Sequence, residues 1–266
     1  MSDPFQDLAT ASDEFIEQVV AVLERRAADP AMLPAIDSYL DAIPWGDVSA
    51  ALEIGAGSGP IARMMAARAP HASVVAQDPA EALLQQARRL SEDLHNLEFV
   101  AADGDATGLG DQTQDVVVIQ TVLSHVKDPA AILREAFRVL RPGGWIALCD
   151  VDFARAGLGA GANDPLDAMA KEFVRLFVGD PHVASKLNRM AADAGFRVSQ
   201  FQVVNRVLTD SDHMRIWIEW PGRKMVDDGL ISESLLSALL AEHDRRRELG
   251  QLFGFQGIAS LLARKP

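Results

Sequence analysis

Between Ala51 and Arg63 the chain reads Ala-Leu-Glu-Ile-Gly-Ala-Gly-Ser-Gly-Pro-Ile-Ala-Arg, an apolar strand end, a triple-glycine turn and a helix start. Glycine at 55, 57 and 59 lets the backbone turn tightly and approach a ligand with no side chain in the way. Pro60 suits a first helical residue, whose amide would lack a partner in any case. A helix beginning there offers free N–H groups and a partial positive charge to whatever binds over the turn. The segment commits the fold to a strand end, a tight turn and a helix N-terminus gathered round one site.

Spacing narrows the ligand. A dinucleotide fingerprint needs glycines at the first, third and sixth positions, here 55, 57 and 60. Position 60 is proline, so that pattern fails. An acid, Glu53, stands just ahead of the glycines.

Around this segment, short apolar runs alternate with helical patterns. Strands are expected at 50–54, 73–77, 97–101, 115–120 and 145–151, with helices at 61–69, 81–94 and 129–140 between them. Val116-Val117-Val118-Ile119 is a continuous apolar run, typical of a strand buried on both faces. Alternation of this kind implies a parallel, doubly wound α/β sheet. Two helices, 12–28 and 31–43, precede it and are expected to cap its open edge. After Val151, Gly157, Gly159 and Gly161 read as a flexible loop. Helices follow at 166–178, 183–194, 213–220 and 232–243, and strands at 196–208 and 253–263 close the sheet as an antiparallel pair. The division expected is a helical cap at 1–44 and one domain at 45–266, with helical insertions at about 157–194 and 211–250.

Composition limits the partners. The chain carries 25 basic against 38 acidic residues, a net charge of −13, which repels phosphate backbones and argues against nucleic acid. No apolar run approaches the roughly 20 residues of a membrane helix, and the N-terminus lacks a signal core. The single cysteine, Cys149, excludes an internal disulfide and a cysteine-clustered zinc site. His182, His213 and His243 follow no ligand spacing, so no metal is assigned. A cytoplasmic location is expected.

Further acids follow the later strands. Asp78, before Pro79, ends the second strand, where ligands of open parallel sheets bind and a carboxylate can accept from both ribose hydroxyls. Ala102-Asp103-Gly104-Asp105-Ala106 follows the third strand, with Asp105, or its competitor Asp103, as a partner for an adenine amino group and the Ala106 amide for a ring nitrogen. Gln120 and Thr121 follow the fourth strand. Arg141-Pro142-Gly143-Gly144 precedes the fifth and is physically a tight turn with a helix-stopping proline.

In this order the pieces resemble the class I S-adenosylmethionine (SAM) methyltransferases over about residues 50–152, in particular the small-molecule branch of quinone-biosynthesis and natural-product enzymes. The resemblance implies a Rossmann-like seven-stranded sheet of order 3-2-1-4-5-7-6 with the last strand antiparallel. It also implies SAM as cofactor, leaving as S-adenosylhomocysteine (SAH). Glu53, Gly55, Ala56, Gly57, Gly59, Asp78, Pro79, Gly104, Asp105, Ala106, Gln120 and Thr121 are then the expected cofactor-binding residues, with backbone groups of Gln120 and Thr121 on the methionine part.

Methyl transfer is an in-line displacement that needs a base only when the acceptor must lose a proton. His125, just beyond the fourth strand, is the candidate base, with Asp150 or Asp152 after the fifth as its acid partner. The structural alternative is a histidine that caps the loop. Phe15, Tyr39, Trp217 and Trp220 fit either core packing or the wall of a partly apolar acceptor pocket. The function expected is O- or N-methylation of a small molecule by a monomer or homodimer. A SAM-binding regulatory or scaffold protein, or a protein or nucleic-acid methyltransferase, is the alternative.

Overall fold

The computed structural model describes residues 11–161, 163–209 and 212–266. Residues 1–10 of the expected cap, and residue 211 at the start of the second expected insertion, lie outside the described residues, as does the His213 side chain.

Seven strands form one sheet of order β3-β2-β1-β4-β5-β7-β6. These are β1 (Ala50–Ile54), β2 (Ser73–Asp78), β3 (Leu97–Ala101), β4 (Gln114–Gln120), β5 (Leu140–Leu158), β6 (Arg197–Leu208) and β7 (Gly254–Arg264). The first five run parallel, and β7 lies antiparallel between β5 and β6. The expected fold and strand order are those observed. Helices α1 (Asp13–Ala28) and α2 (Leu33–Leu40) precede the sheet. Next come α3 (Pro60–Arg68), α4 (Glu81–Arg89), α5 (Pro129–Val139), α6 (Pro165–Phe177), α7 (Val183–Asp193), α8 (Ile216–Asp227) and α9 (Glu233–Glu248).

Strand alternation sorts the core into two layers. On one face Ala51, Val116, Val118, Cys149 and Val151 pack against α2, α3 and the α6–α8 pair. On the other, Leu52, Ile54, Val117, Ile119 and Leu148 pack against α5 and α7. Local signals set the helix starts. Ser12 caps α1 by accepting from the Phe15 amide at 3.3 Å, and Asp128 caps α5 by accepting from Ala131 at 3.0 Å. α2 lies on the sheet over β5, β7 and β6, pinned where the Ser38 and Ser260 hydroxyls meet at 3.0 Å. α1 runs beside α3 and α4 and passes over the carboxyl ends of the strands.

Three expectations change. Gly157 is part of a strand, and the irregular stretch starts only at Gly159. β5 continues through Leu158, pairing Gly157 with Phe255 and Leu158 with Gly254. A Cβ at Gly157 would stand 2.9 Å from Asp167 Oδ1, so glycine permits a close approach of chain segments. α4 stops at Arg89 rather than Leu94. Asn96 turns the chain back there, its Nδ2 donating toward the carbonyls of Ala66, Ala69 and Ala72. α8 runs through Pro221 to Asp227: Pro221 and Gly222 are buried, and Gly222 lets Leu236 of α9 pack closely.

Candidate functional site

The glycine turn joins β1 to α3 with all three glycines at positive φ, +75° at Gly55, +56° at Gly57 and +79° at Gly59. Two further constraints exclude a side chain there. A Cβ on Gly55 would fall 2.3 Å from Val122 Cγ2, and one on Gly57 2.7 Å from Leu23 Cδ1 of α1. The turn is thus packed between the segment after β4 and the N-terminal helix. Gly55 and Ala56 both donate to the carbonyl of Gln77, at 2.7 and 2.9 Å, and the Gly57 amide donates to Asp78 Oδ2 at 2.9 Å. The other Asp78 oxygen accepts from the Ala80 amide at 2.9 Å. Burial raises the Asp78 pKa, and these two amides oppose the shift.

Over the turn opens a cavity of about 460 Å³. Glu53, Gly55, Ala56, Gly57, Asp78, Pro79, Asp103, Gly104 and Asp105 line one end. Glu53 is 1% exposed, and its Oε2 has no hydrogen-bond partner among the described residues. Burial pushes its pKa well above the usual carboxylate range, opposed by the Ala62 amide and reinforced by Asp78. A buried acid with one oxygen unpartnered and facing a cavity is costly unless the ligand brings a positive charge. Acids dominate this end, which suits a cationic, hydroxyl-rich ligand and opposes a pyrophosphate. At the far end Val151, Phe153, Phe173, Ile216, Trp217 and Trp220 form an apolar wall. Phe173 and Trp217 stack at 4.8 Å with 6° between their planes.

Comparison with known proteins agrees with this geometry. Residues 52–148 match the family model described as a methyltransferase domain. Trans-aconitate 2-methyltransferase of Methylobacterium radiotolerans is 31% identical over 179 residues, 65% of this chain and 64% of that protein. An uncharacterized 37.1 kDa protein in transposon Tn4556 of Streptomyces fradiae is 30% identical over 193 residues, 72% of this chain and 56% of that protein. The chain therefore spans less than two thirds of the length of either relative. Among solved structures, phosphoethanolamine N-methyltransferase 2 of Haemonchus contortus in complex with S-adenosyl-L-methionine shares the fold. Its TM-score is 0.59 at 16% identity, covering 98% of this chain and 60% of that one.

Residues 52–148 form a SAM-dependent methyltransferase domain.

In this methyltransferase domain the cavity gathers most of the expected cofactor residues, with Gln120, Thr121 and His125 lining it beside the glycine turn. Thr121 holds φ +54°, and its Oγ1 is buried without a partner among the described residues. The Thr121 amide donates to Cys149 O at 2.7 Å, so it belongs to the β4–β5 pairing and is not free for the methionine part. Gly59 and Ala106 do not line the cavity. Gly59 instead makes room for Phe99, whose Cε1 lies 2.6 Å from where a Cβ would stand. Ala106 donates its amide to Asp103 O at 3.0 Å, so the expected contact of that amide with an adenine nitrogen is not free to form. Asp103 and Asp105 both reach the cavity.

Two candidate acids lie off the cavity wall. Asp150 and Asp152 are absent from the lining, whereas Val151 and Phe153 belong to it. The period of a strand is two, so the acids point to the opposite face. Asp150, 1% exposed, accepts from Ser124 N at 3.1 Å, Ser124 Oγ at 2.8 Å and Val151 N at 2.8 Å. It anchors the segment from which His125 projects. Burial raises its pKa, while His125 and these donors pull it back. Asp152 pairs with Arg155 at 2.7 Å. His125 meets Phe153 edge-on, with ring centroids 6.0 Å apart.

The aromatic candidates divide. Trp217 and Trp220 line the cavity, Phe15 supports Trp220 from behind at 5.5 Å, and Tyr39 is core, donating to Gln120 Oε1 at 2.8 Å. Sequence reading missed Arg26, Val122, Phe153, Phe173 and Gln256, all of which line the cavity. Arg26 was hidden because a basic residue in the last turn of a helix already has a role opposite the helix dipole.

Proposed function

We propose that the chain transfers a methyl group from SAM to the oxygen or nitrogen of a small, partly apolar acceptor. One observation carries this reading: a single cavity joins an acidic, glycine-lined end at the tips of β1 and β2 to an aromatic end walled by Phe153, Phe173 and Trp217. SAM, when bound, supplies an electrophilic methyl group on a sulfonium. The residues present fit it. Asp78 would accept from the ribose hydroxyls, Asp105 or Asp103 from the adenine amino group, and the unpartnered Oε2 of Glu53 would face the ammonium. Gly55, Ala56 and Gly57 would let the cofactor lie against the backbone. His125 would take the proton released by the acceptor as its new bond to the methyl carbon forms and the sulfur–carbon bond breaks.

A small-molecule acceptor is supported by the cavity's size, which falls in the range of ligand pockets, and by a relative named for trans-aconitate. The net charge of −13 favours such an acceptor over nucleic acid. Among the described residues no helix is long and apolar enough to cross a membrane. A cytoplasmic monomer or homodimer, with residues 1–44 as a cap on a domain spanning 45–266, completes the proposal. Calorimetric titration with SAH and with NAD tests it: SAH should bind at one site per chain and NAD should not. Preferential binding of NAD would sink the reading.

A further inference from the structure

Arg26 of α1 lines the same cavity, and among the described residues its guanidinium makes no hydrogen bond or ion pair. A guanidinium carries five N–H donors and accepts nothing, so an unmatched one in a largely apolar cavity calls for an anion. Burial lowers its pKa, with Asp150 the acid that pulls the other way. Asp150 itself is held by Ser124 and Val151.

Arg206 of β6 supplies the second part. It is buried and paired with Asp29, so its own charge is matched. Its Nη1 donates to Gln256 Oε1 at 2.6 Å. Arginine can only donate, so this bond fixes which end of the Gln256 amide accepts. The Nε2 donor is left turned from Arg206, with no hydrogen-bond partner among the described residues, on a residue that lines the cavity. Asp29, the C-cap of α1 whose amide donates to Arg26 O, is the acid that holds Arg206, which brings the end of α1 beside Gln256. One unmatched cation and one oriented amide donor therefore share a wall of the cavity.

We propose that Arg26 and Gln256 form a carboxylate-binding subsite in the acceptor half of the cavity. β7, which carries Gln256, stands three strands from β1, about 14 Å across the sheet at the usual strand spacing. That places the subsite on the side of the aromatic wall, away from Asp78. The acceptor class is an apolar or aromatic molecule bearing one carboxylate. The assignment of that carboxylate to the acceptor rests on the methyl-transfer reading above. The α-carboxylate of the cofactor has the same chemistry, and the experiment separates the two.

Calorimetry on the wild-type chain, Arg26→Gln and Gln256→Glu uses three probes: SAH, 5′-methylthioadenosine, which lacks the amino-acid group, and benzoate added to SAH-saturated protein. Gln256→Glu retains an acceptor for Arg206 but turns a second carboxylate toward the ligand. Both variants should bind 5′-methylthioadenosine as the wild type does, which reports an intact fold and nucleoside site. Benzoate affinity should fall at least ~10-fold in both variants, the loss of a charge-assisted pair. A fall of that size in SAH affinity, with 5′-methylthioadenosine unchanged, would keep the subsite and assign it to the cofactor's carboxylate. If Arg26→Gln binds SAH and benzoate as tightly as the wild type, the subsite is overturned. Should the wild type bind neither nucleoside, the methyl-transfer reading fails by itself, and benzoate titrated alone still decides whether Arg26 holds a carboxylate.

Discussion

Asp78 accepts the Gly57 amide proton at 2.9 Å, which makes the acid at the end of β2 and the turn after β1 one unit. Asp78→Ala removes the acceptor for the ribose hydroxyls and releases the turn together. A bond to a charged group is worth about 1.5–3 kcal/mol, so SAH affinity should drop roughly 10- to 100-fold by calorimetry. Unchanged affinity would remove Asp78 from the site.

Glu53 should show opposite effects on stability and binding. Its pKa in the folded chain lies well above the unfolded value, so the folded state holds a proton that the unfolded state releases. Stability from this group is present at low pH and declines as pH rises from the unfolded value of about 4.5 toward the folded one. Glu53→Gln removes that loss, so the ligand-free variant should melt at a higher temperature than the wild type at pH 7. It should bind SAH roughly 10-fold more weakly, since the ammonium loses its anion. A melting temperature that falls together with the affinity would contradict this role.

His125→Ala should lower turnover by about 10²–10⁴-fold with SAH affinity nearly unchanged, once an acceptor is in hand. Asp150→Asn tests the anchoring of the same segment. It should lower both melting temperature and turnover. Full activity in His125→Ala would rule the base role out.

Asp115 governs an acid transition remote from the cavity. Burial works against its charge, but donors from Arg141, the Ser49 hydroxyl and the Ser49 and Ala50 amides outweigh it and hold the pKa at about 2. With the folded value below the unfolded one, its contribution is complete above about pH 4 and is lost as pH falls through 2. Asp115→Asn should cost about 2 kcal/mol at pH 7 in urea unfolding and flatten the stability profile between pH 4 and 2. An unaltered profile would mean that this clamp contributes nothing.

Most of the fold was legible because its signals are local. The β4 run Val116–Ile119, the Pro60 start of α3 and the Ser12 cap each act within a few residues, and the elements follow them. The acidic, glycine-lined end of the cavity was legible for the same reason, since Glu53, the glycines and Asp78 sit beside strand tips that any parallel sheet exposes. The aromatic end was not. Its wall comes from β5, α6 and α8, whose residues meet only after folding, and Phe153 and Phe173 carry no local mark of a pocket. Asp150 and Asp152 stand off the cavity because a strand alternates: Val151 and Phe153 face it in their place. Gly157 read as flexibility because the approach of Asp167 is tertiary.

A crystal structure of the chain with SAH bound tests the central claim most directly. The ribose should lie within hydrogen-bonding distance of both Asp78 oxygens, and the amino group should face Glu53. The sulfur should open toward His125, Phe153 and Trp217. SAH seated elsewhere, or with its sulfur turned from the aromatic wall, would contradict the account.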